Sequence, residues 1–351
     1  MRLLITGATG FLGRHVLTAL AAAPSRPRLV LLLRDRAGWE ALSWRQALPA
    51  SLAIELLEGG LEDVEAIVAA CGAVDAILHL AAVVRHSRQA VAAVFAANVN
   101  GTCAMVHLAS RLKARLVYVS TSGTVGCARD PEARPAEAAP HCLGTVSRWP
   151  YYSSKVAAER QASALAASLA VQLVIVRPPM LLGPGDHRLR ATGQVTRFLR
   201  GRVPFLLDGG IHYCDVRDAA AALVTLLEHP APRPIYHLTG TACSLQQFFA
   251  DLSALTGIPA PRYRLPQSLI WALAQADVWL GRRLRGEPLG LLPDPVVVEM
   301  AAHHWGLASS YAELDLNYAS RAPESTLRDT IDWLRAHHPR LQPSSVQPGA
   351  A

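Results

Sequence analysis

Through its first half the chain alternates short aliphatic runs with longer stretches whose apolar positions recur every three or four residues. The runs Arg2–Thr6, Leu29–Leu33, Ala53–Leu57, Ala76–Leu80, Leu116–Ser120 and Val171–Val176 predict strands. Phe11–Ala22, Glu62–Ala70, Gln89–Lys113 and Tyr151–Ala170 predict the helices between them. Strands apolar at every position are covered on both faces, and strands separated by helices pair in parallel. The pattern therefore predicts an α/β fold built on a doubly wound parallel sheet.

Past residue 178 the alternation breaks into Pro- and Gly-rich segments, although "PIYHLTG" (234–240) reads as one more strand of the same sheet. The expected organisation is a first domain over 1–178, with 213–240 returning to it, and a smaller C-terminal α/β cap over 179–212 and 241–341 that holds substrate. The last residues, 342–351, read as a disordered tail by composition.

Composition narrows the class. With 51% hydrophobic and 17% charged residues, the chain has ample material for a core. The net charge of +7 comes from scattered arginines that do not interleave with aromatics, which argues against a nucleic-acid partner. Six cysteines stand apart without a CxxC pair, and the chain opens directly on a strand pattern; both lead to the expectation of a cytoplasmic protein. The pairs His303–His304 and His337–His338 are adjacent residues that point about 100° apart on a helix, so no metal is expected. The apolar stretch 265–281 is too short for a comfortable span, and reads either as the lining of a greasy pocket or as a helix resting on a membrane surface.

Candidate chemistry begins in "TGATGFLG" (6–13). Between a strand ending at Thr6 and a helix starting at Phe11, a loop without side chains lets backbone amides and the helix dipole approach a pyrophosphate. At the end of the second strand an acid would bind a ribose 2′-hydroxyl and an arginine a 2′-phosphate. Here Arg34 comes first and Asp35 next, which favours NADP(H) and leaves NAD(H) possible.

The fifth strand runs into the hydroxyl cluster "VSTSGTVG" (119–126), at the strand edge where open α/β sheets bind ligands. Downstream, "YYSSK" places Tyr151 and Lys155 four apart at a helix start, on one face. An ammonium beside a phenol favours the phenolate, so Tyr151 is expected to be acidified and to exchange a proton with a carbonyl oxygen or alcohol. A hydroxyl of the cluster, Thr121 or Ser122, would hold the substrate oxygen, and Ser122 is favoured.

With these pieces, together with "HLAA" (79–82), "NVNGT" (98–102) and "RPPMLLGPGD" (177–186), the chain resembles the extended short-chain dehydrogenases/reductases, nearest the dihydroflavonol reductase and 3β-hydroxysteroid dehydrogenase-like branch. The resemblance implies a Rossmann-like sheet and a nicotinamide cofactor. It places Gly7, Gly10 and Gly13, with Thr9, Phe11 and Leu12 around them, at the pyrophosphate and Arg34 at the 2′-phosphate. Leu61, Ala81 and Ala82 fall toward the adenosine, Pro178 and Met180 beside the nicotinamide, and Tyr151 with Lys155 form the catalytic pair, Lys155 also binding the nicotinamide ribose. Relatives often carry an aspartate near the adenine where this chain has Gly60.

Dehydratases of the family carry an acidic pair after the catalytic hydroxyl; Gly123 and Thr124 stand there, and neither does acid/base work. Ile211 replaces an arginine that nucleotide-sugar enzymes use for the diphosphate. The resulting expectation is NADPH-dependent reduction of a hydrophobic ketone or aldehyde, or the reverse oxidation, with Leu269, Ile270, Trp271, Trp279 and Leu280 as apolar substrate surface. The alternatives are a sugar epimerase using the same residues and, from another class, an NADP(H)-sensing binding protein. A homodimer through the helices at 89–113 and 151–170 is expected, and peripheral membrane contact is possible.

Overall fold

The computed structural model describes residues 1–309, 311–338 and 341. The expected tail at 342–351 lies outside the described residues.

Seven parallel strands form the main sheet: β1 (Arg2–Thr6), β2 (Arg28–Leu33), β3 (Ile54–Glu58), β4 (Ala76–His79), β5 (Arg115–Val119), β6 (Leu173–Arg177) and β7 (Ile235–His237). Their spatial order is β7-β6-β5-β4-β1-β2-β3. The order reverses between β1 and β4, and open α/β sheets bind ligands at such a switch point. Every strand named in the sequence reading is present: β1, β2, β4, β5 and β6 are interior and almost wholly buried, and β3 and β7 form the two edges.

Helices cover both faces. On one side α1 (Phe11–Ala22) packs with α5 (Val216–Glu228) over Leu3, Ile5 and Leu31. On the other lie α2 (Val64–Cys71), α3 (Val91–Leu112) and α4 (Pro150–Ser168), around Leu4, Ile77 and Leu116. A π turn over Ala96–Asn100 interrupts α3 and swings Asn98 inward. There its amide is satisfied by the backbone of Val83 and by the Ser154 hydroxyl.

The second layer of structure is a cap. The strands Met180–Leu182, Gly210–Asp215 and Thr241–Ser244 make a small sheet of their own. It packs with α6 (Leu245–Thr256) on an apolar cluster that includes Phe198, Phe248 and Leu327. Helices α7 (Gln267–Arg285) and α8 (Pro295–Met300) lie beside it.

Two expected boundaries shift. Residues 213–215 belong to the cap sheet, and only α5 and β7 return to the main layer, because the strand Gly210–Asp215 pairs with Met180–Leu182. Conversely, Ala312, Leu316 and Tyr318 leave the cap and complete the core beneath β7, where Tyr236 donates from its hydroxyl to Asp315.

Candidate active site

The glycine loop is shaped by contact. Gly7 has φ +75°, and a Cβ there would stand 2.6 Å from the Ala81 amide nitrogen. A Cβ at Gly13 would stand 2.4 Å from the Gly7 carbonyl oxygen, so α1 begins pressed against the loop. The Gly10 amide donates to the Gly7 carbonyl at 3.0 Å, closing the turn. The buried Thr6 hydroxyl lies 2.7 Å from His79 Nδ1 and accepts from the Ala81 amide, fastening the end of β1 to the end of β4. A bare turn at a helix N-terminus over a switch point fits the pyrophosphate of a dinucleotide. Thr9, Gly10, Phe11 and Leu12 are only partly buried at its mouth, as are Ala81 and Ala82 across from them.

At the β2 edge, Arg34 is exposed and has no hydrogen bond or ion pair among the described residues. Its neighbour Asp35 is occupied: it caps the short helix Arg36–Glu40 by accepting the Gly38 amide at 2.8 Å. After β3, Leu61 packs on the α-carbon of Gly101 in α3, and the Glu62 carboxylate folds over Gly60, with the Asp63 carboxylate accepting the Gly60 amide.

The helix α4 starts with Pro150 at a position that needs no amide donor. Tyr151 and Lys155 stand one turn apart, both buried. The Lys155 ammonium donates to the Val119 carbonyl at 3.0 Å and lies 4.4 Å over the Tyr118 ring. Burial lowers its pKa to about 7, against a partial opposing pull from the Glu159 carboxylate.

Burial raises the Tyr151 pKa to about 12, against an opposing pull from the Thr121 side chain. Thr121 Oγ1 accepts the Gly123 amide at 3.3 Å and so caps the 3-10 turn that begins at Ser122, and the Ser122 amide donates to the Pro178 carbonyl at 2.7 Å. That bond also ties the strand-five edge to Pro178, which is buried, while Met180 is partly buried two residues on.

Behind this pair lies a buried polar cluster that the sequence reading did not anticipate. Glu159, one turn beyond Lys155, accepts from both arms of the Arg177 guanidinium at 2.6–3.2 Å, from the Ser120 hydroxyl, and lies 2.8 Å from His141 Nε2. Burial would raise the Glu159 pKa, but the His141 bond and the Arg177 charge hold it down at about 2. The Lys-x-x-x-Glu spacing in "KVAAE" was the available signal. His86, from the loop after β4, sets its ring edge-on to Tyr151 at 5.4 Å, and nothing in its local sequence marked it.

The apolar cap residues divide. Ile270 lines a cavity of about 70 Å³ with Phe205, Phe249 and Val298. Leu269, Trp279 and Leu280 face outward, and the Trp271 indole donates to Glu299 at 2.9 Å. The expected substrate surface thus reduces to Ile270, because the inner seam of α7 is Ile270, Ala274, Asp277 and Gly281.

The sequence profile of the NAD dependent epimerase/dehydratase family matches residues 3–238. The chain belongs to that family. It is 30% identical over 288 residues to sterol demethylase protein B of Methylococcus capsulatus, covering 81% of this chain and 83% of the relative. It is 28% identical over 359 residues to 2-alkyl-3-oxoalkanoate reductase of Stenotrophomonas maltophilia, covering 96% and 99%. The crystal structure of gox2253 superposes with a TM-score of 0.76 at 28% identity, over 96% of this chain and 98% of that one. Other relatives are named as sugar-nucleotide dehydratases and epimerases. Members of the family are nicotinamide-dependent enzymes.

Proposed function

We propose that the protein is an NADPH-dependent reductase of a hydrophobic ketone or aldehyde, or catalyses the reverse oxidation of a secondary alcohol. What supports this reading is the buried Tyr151 one helical turn from Lys155, whose ammonium donates to the Val119 carbonyl at the C-terminal edge of β5.

A bound nicotinamide supplies a hydride to the carbonyl carbon or takes one from an alcohol. The chain's own residues handle the oxygen. A hydroxyl of the strand-five cluster, Ser122 or Thr121 with Ser122 favoured, donates a hydrogen bond to the substrate oxygen, and Tyr151 transfers its phenolic proton to that oxygen as charge accumulates there. A phenol held at about pKa 12 by burial keeps its proton until an acceptor forms beside it. Lys155, anchored on the Val119 carbonyl, is placed to bind the ribose and to favour the phenolate once the proton has left.

NADP(H) over NAD(H) is supported by Arg34, exposed and without a partner among the described residues at the β2 edge, while Asp35 is spent as a helix cap. A hydrophobic substrate is supported by the relatives whose names carry a sterol and a 2-alkyl-3-oxoalkanoate. Dehydration is disfavoured because Gly123 and Thr124 follow the hydroxyl: Gly123 lies flat against the Tyr152 ring and the Thr124 hydroxyl donates to the Thr121 carbonyl.

The test is NADPH oxidation over a panel of apolar ketones and aldehydes, with Tyr151→Phe beside the native chain. Turnover should fall by about 10²–10⁴-fold with NADPH binding retained. Undiminished turnover in the variant sinks the reading, and turnover of a sugar nucleotide without net NADPH consumption replaces it with epimerisation.

A further inference from the structure

The helix α7 is built inside out. A helix on a protein surface ordinarily buries its apolar stripe and shows its charges to water. Here the inner seam is Ile270, Ala274, Asp277 and Gly281, and it contains the helix's only acid. Asp277 points inward and accepts the amides of Gly290 at 3.1 Å and Leu291 at 3.0 Å.

The outer side carries the larger apolar groups. Leu269, Leu273, Leu280 and Leu284 recur at helical spacing along one line, each exposed, with Trp279 beside them at 61% exposure. The loop held by Asp277 adds Leu291, 71% exposed, at the same end. Isolated exposed leucines are ordinary, but an aligned row of four flanked by a tryptophan is a patch that water disfavours.

Charge says what covers it. From residue 262 to 291 the exposed cations are Arg262, Arg264, Arg282, Arg283 and Arg285, and the only exposed acid is Glu287. The Arg283 guanidinium lies 5.5 Å over the Trp279 ring, a pairing suited to the boundary between headgroups and acyl chains. A second copy of the same face would bring five more arginines against these, whereas a surface of phosphate headgroups neutralises them.

We propose that α7 docks the protein on an anionic phospholipid bilayer, with the Leu269–Leu284 row sunk to the acyl boundary and the arginines on the lipid phosphates. The helix lies in the plane of the surface and does not cross it. Its inner seam borders the Ile270 cavity, and the Trp271 indole shares the Glu299 carboxylate with the Trp149 indole, two residues before Tyr151. This surface stands independently of the reductase reading.

The experiment is co-sedimentation of the full chain with phosphatidylcholine vesicles, with and without phosphatidylglycerol, following tryptophan emission. Binding to the phosphatidylglycerol vesicles, with a blue shift and weakening in high salt, is expected. Leu273→Glu with Leu280→Glu should abolish it while leaving the circular dichroism and melting temperature unchanged, since both positions are exposed. Each of Arg282, Arg283 and Arg285 replaced by Gln should lower the partition coefficient about fivefold. Failure of the native chain to bind, or binding that survives the glutamates, overturns the proposal. So does a native dimer that the glutamates convert to a monomer without any vesicle binding, which assigns the face to a second copy.

Discussion

Arg177 grips both carboxylate oxygens of Glu159 in the interior of the protein, with side chains only 3% and 1% exposed. The pair joins the end of β6 to the middle of α4, and so sets how the helix carrying Tyr151 and Lys155 lies against the sheet edge.

Removing one member leaves a buried charge without its counterpart, which costs more than the pair itself contributes. Glu159→Gln should lose about 3 kcal/mol of stability in urea unfolding at neutral pH. Replacing Arg177 by Met in the same chain should recover part of that loss. Additive losses would mean that the two residues act separately.

Acid should destabilise the fold in two stages. Burial, with the Lys155 charge adding to it, lowers the His79 pKa to about 3. Burial likewise lowers His212 to about 3. The unfolded chain protonates these rings below about pH 6.5 while the folded chain does not, so stability falls as pH drops from 6.5 toward 3, by up to about 1.4 kcal/mol per ring per pH unit. Glu159, held at about 2, adds its loss below its ordinary carboxylate range of about 4.5. Urea midpoints measured from pH 7.5 down to 4 should decline accordingly, and a flat profile would contradict the uncharged state of the two histidines.

The catalytic hydroxyl separates by single substitutions. Ser122→Ala should lower kcat by about 10²-fold, as the loss of an oxyanion donor does, with little change in cofactor affinity. Thr121→Ala should stay within a fewfold of native. Steady-state kinetics on one carbonyl substrate decides between them, and the opposite ranking would give the role to Thr121.

Cofactor choice should respond to Arg34. Arg34→Ala should raise the Kd for NADPH about tenfold, the value of one charge-assisted contact to phosphate, and leave NADH unaffected. Titration of both cofactors by fluorescence measures the ratio. Equal losses for NADH and NADPH would remove the arginine from the 2′-phosphate.

Gly7→Ala should eliminate dinucleotide binding. The new methyl would sit 2.6 Å from the Ala81 amide nitrogen, against backbone that cannot yield, at a φ of +75° that disfavours any side chain. Calorimetric titration with NADPH checks it, and native affinity in a folded variant would refute the loop assignment.

Much of the architecture was legible in the chain before any coordinates. Aliphatic runs buried on both faces, glycines between β1 and α1, and a Tyr–Lys pair at a helix start are local signals, and each reports its environment through its own neighbours in sequence. What lay beyond reading came from groups distant in the chain. How the strand-five hydroxyls are presented depends on a 3-10 turn fastened to Pro178. Where the Lys155 ammonium is held depends on the Val119 carbonyl. The apolar residues of α7 looked like pocket lining, yet which side of a helix turns inward is set by the body it packs on, and here the smaller stripe with Asp277 won that place. Periodicity says that a helix has faces; only the packing of the remaining chain chooses which of them meets water.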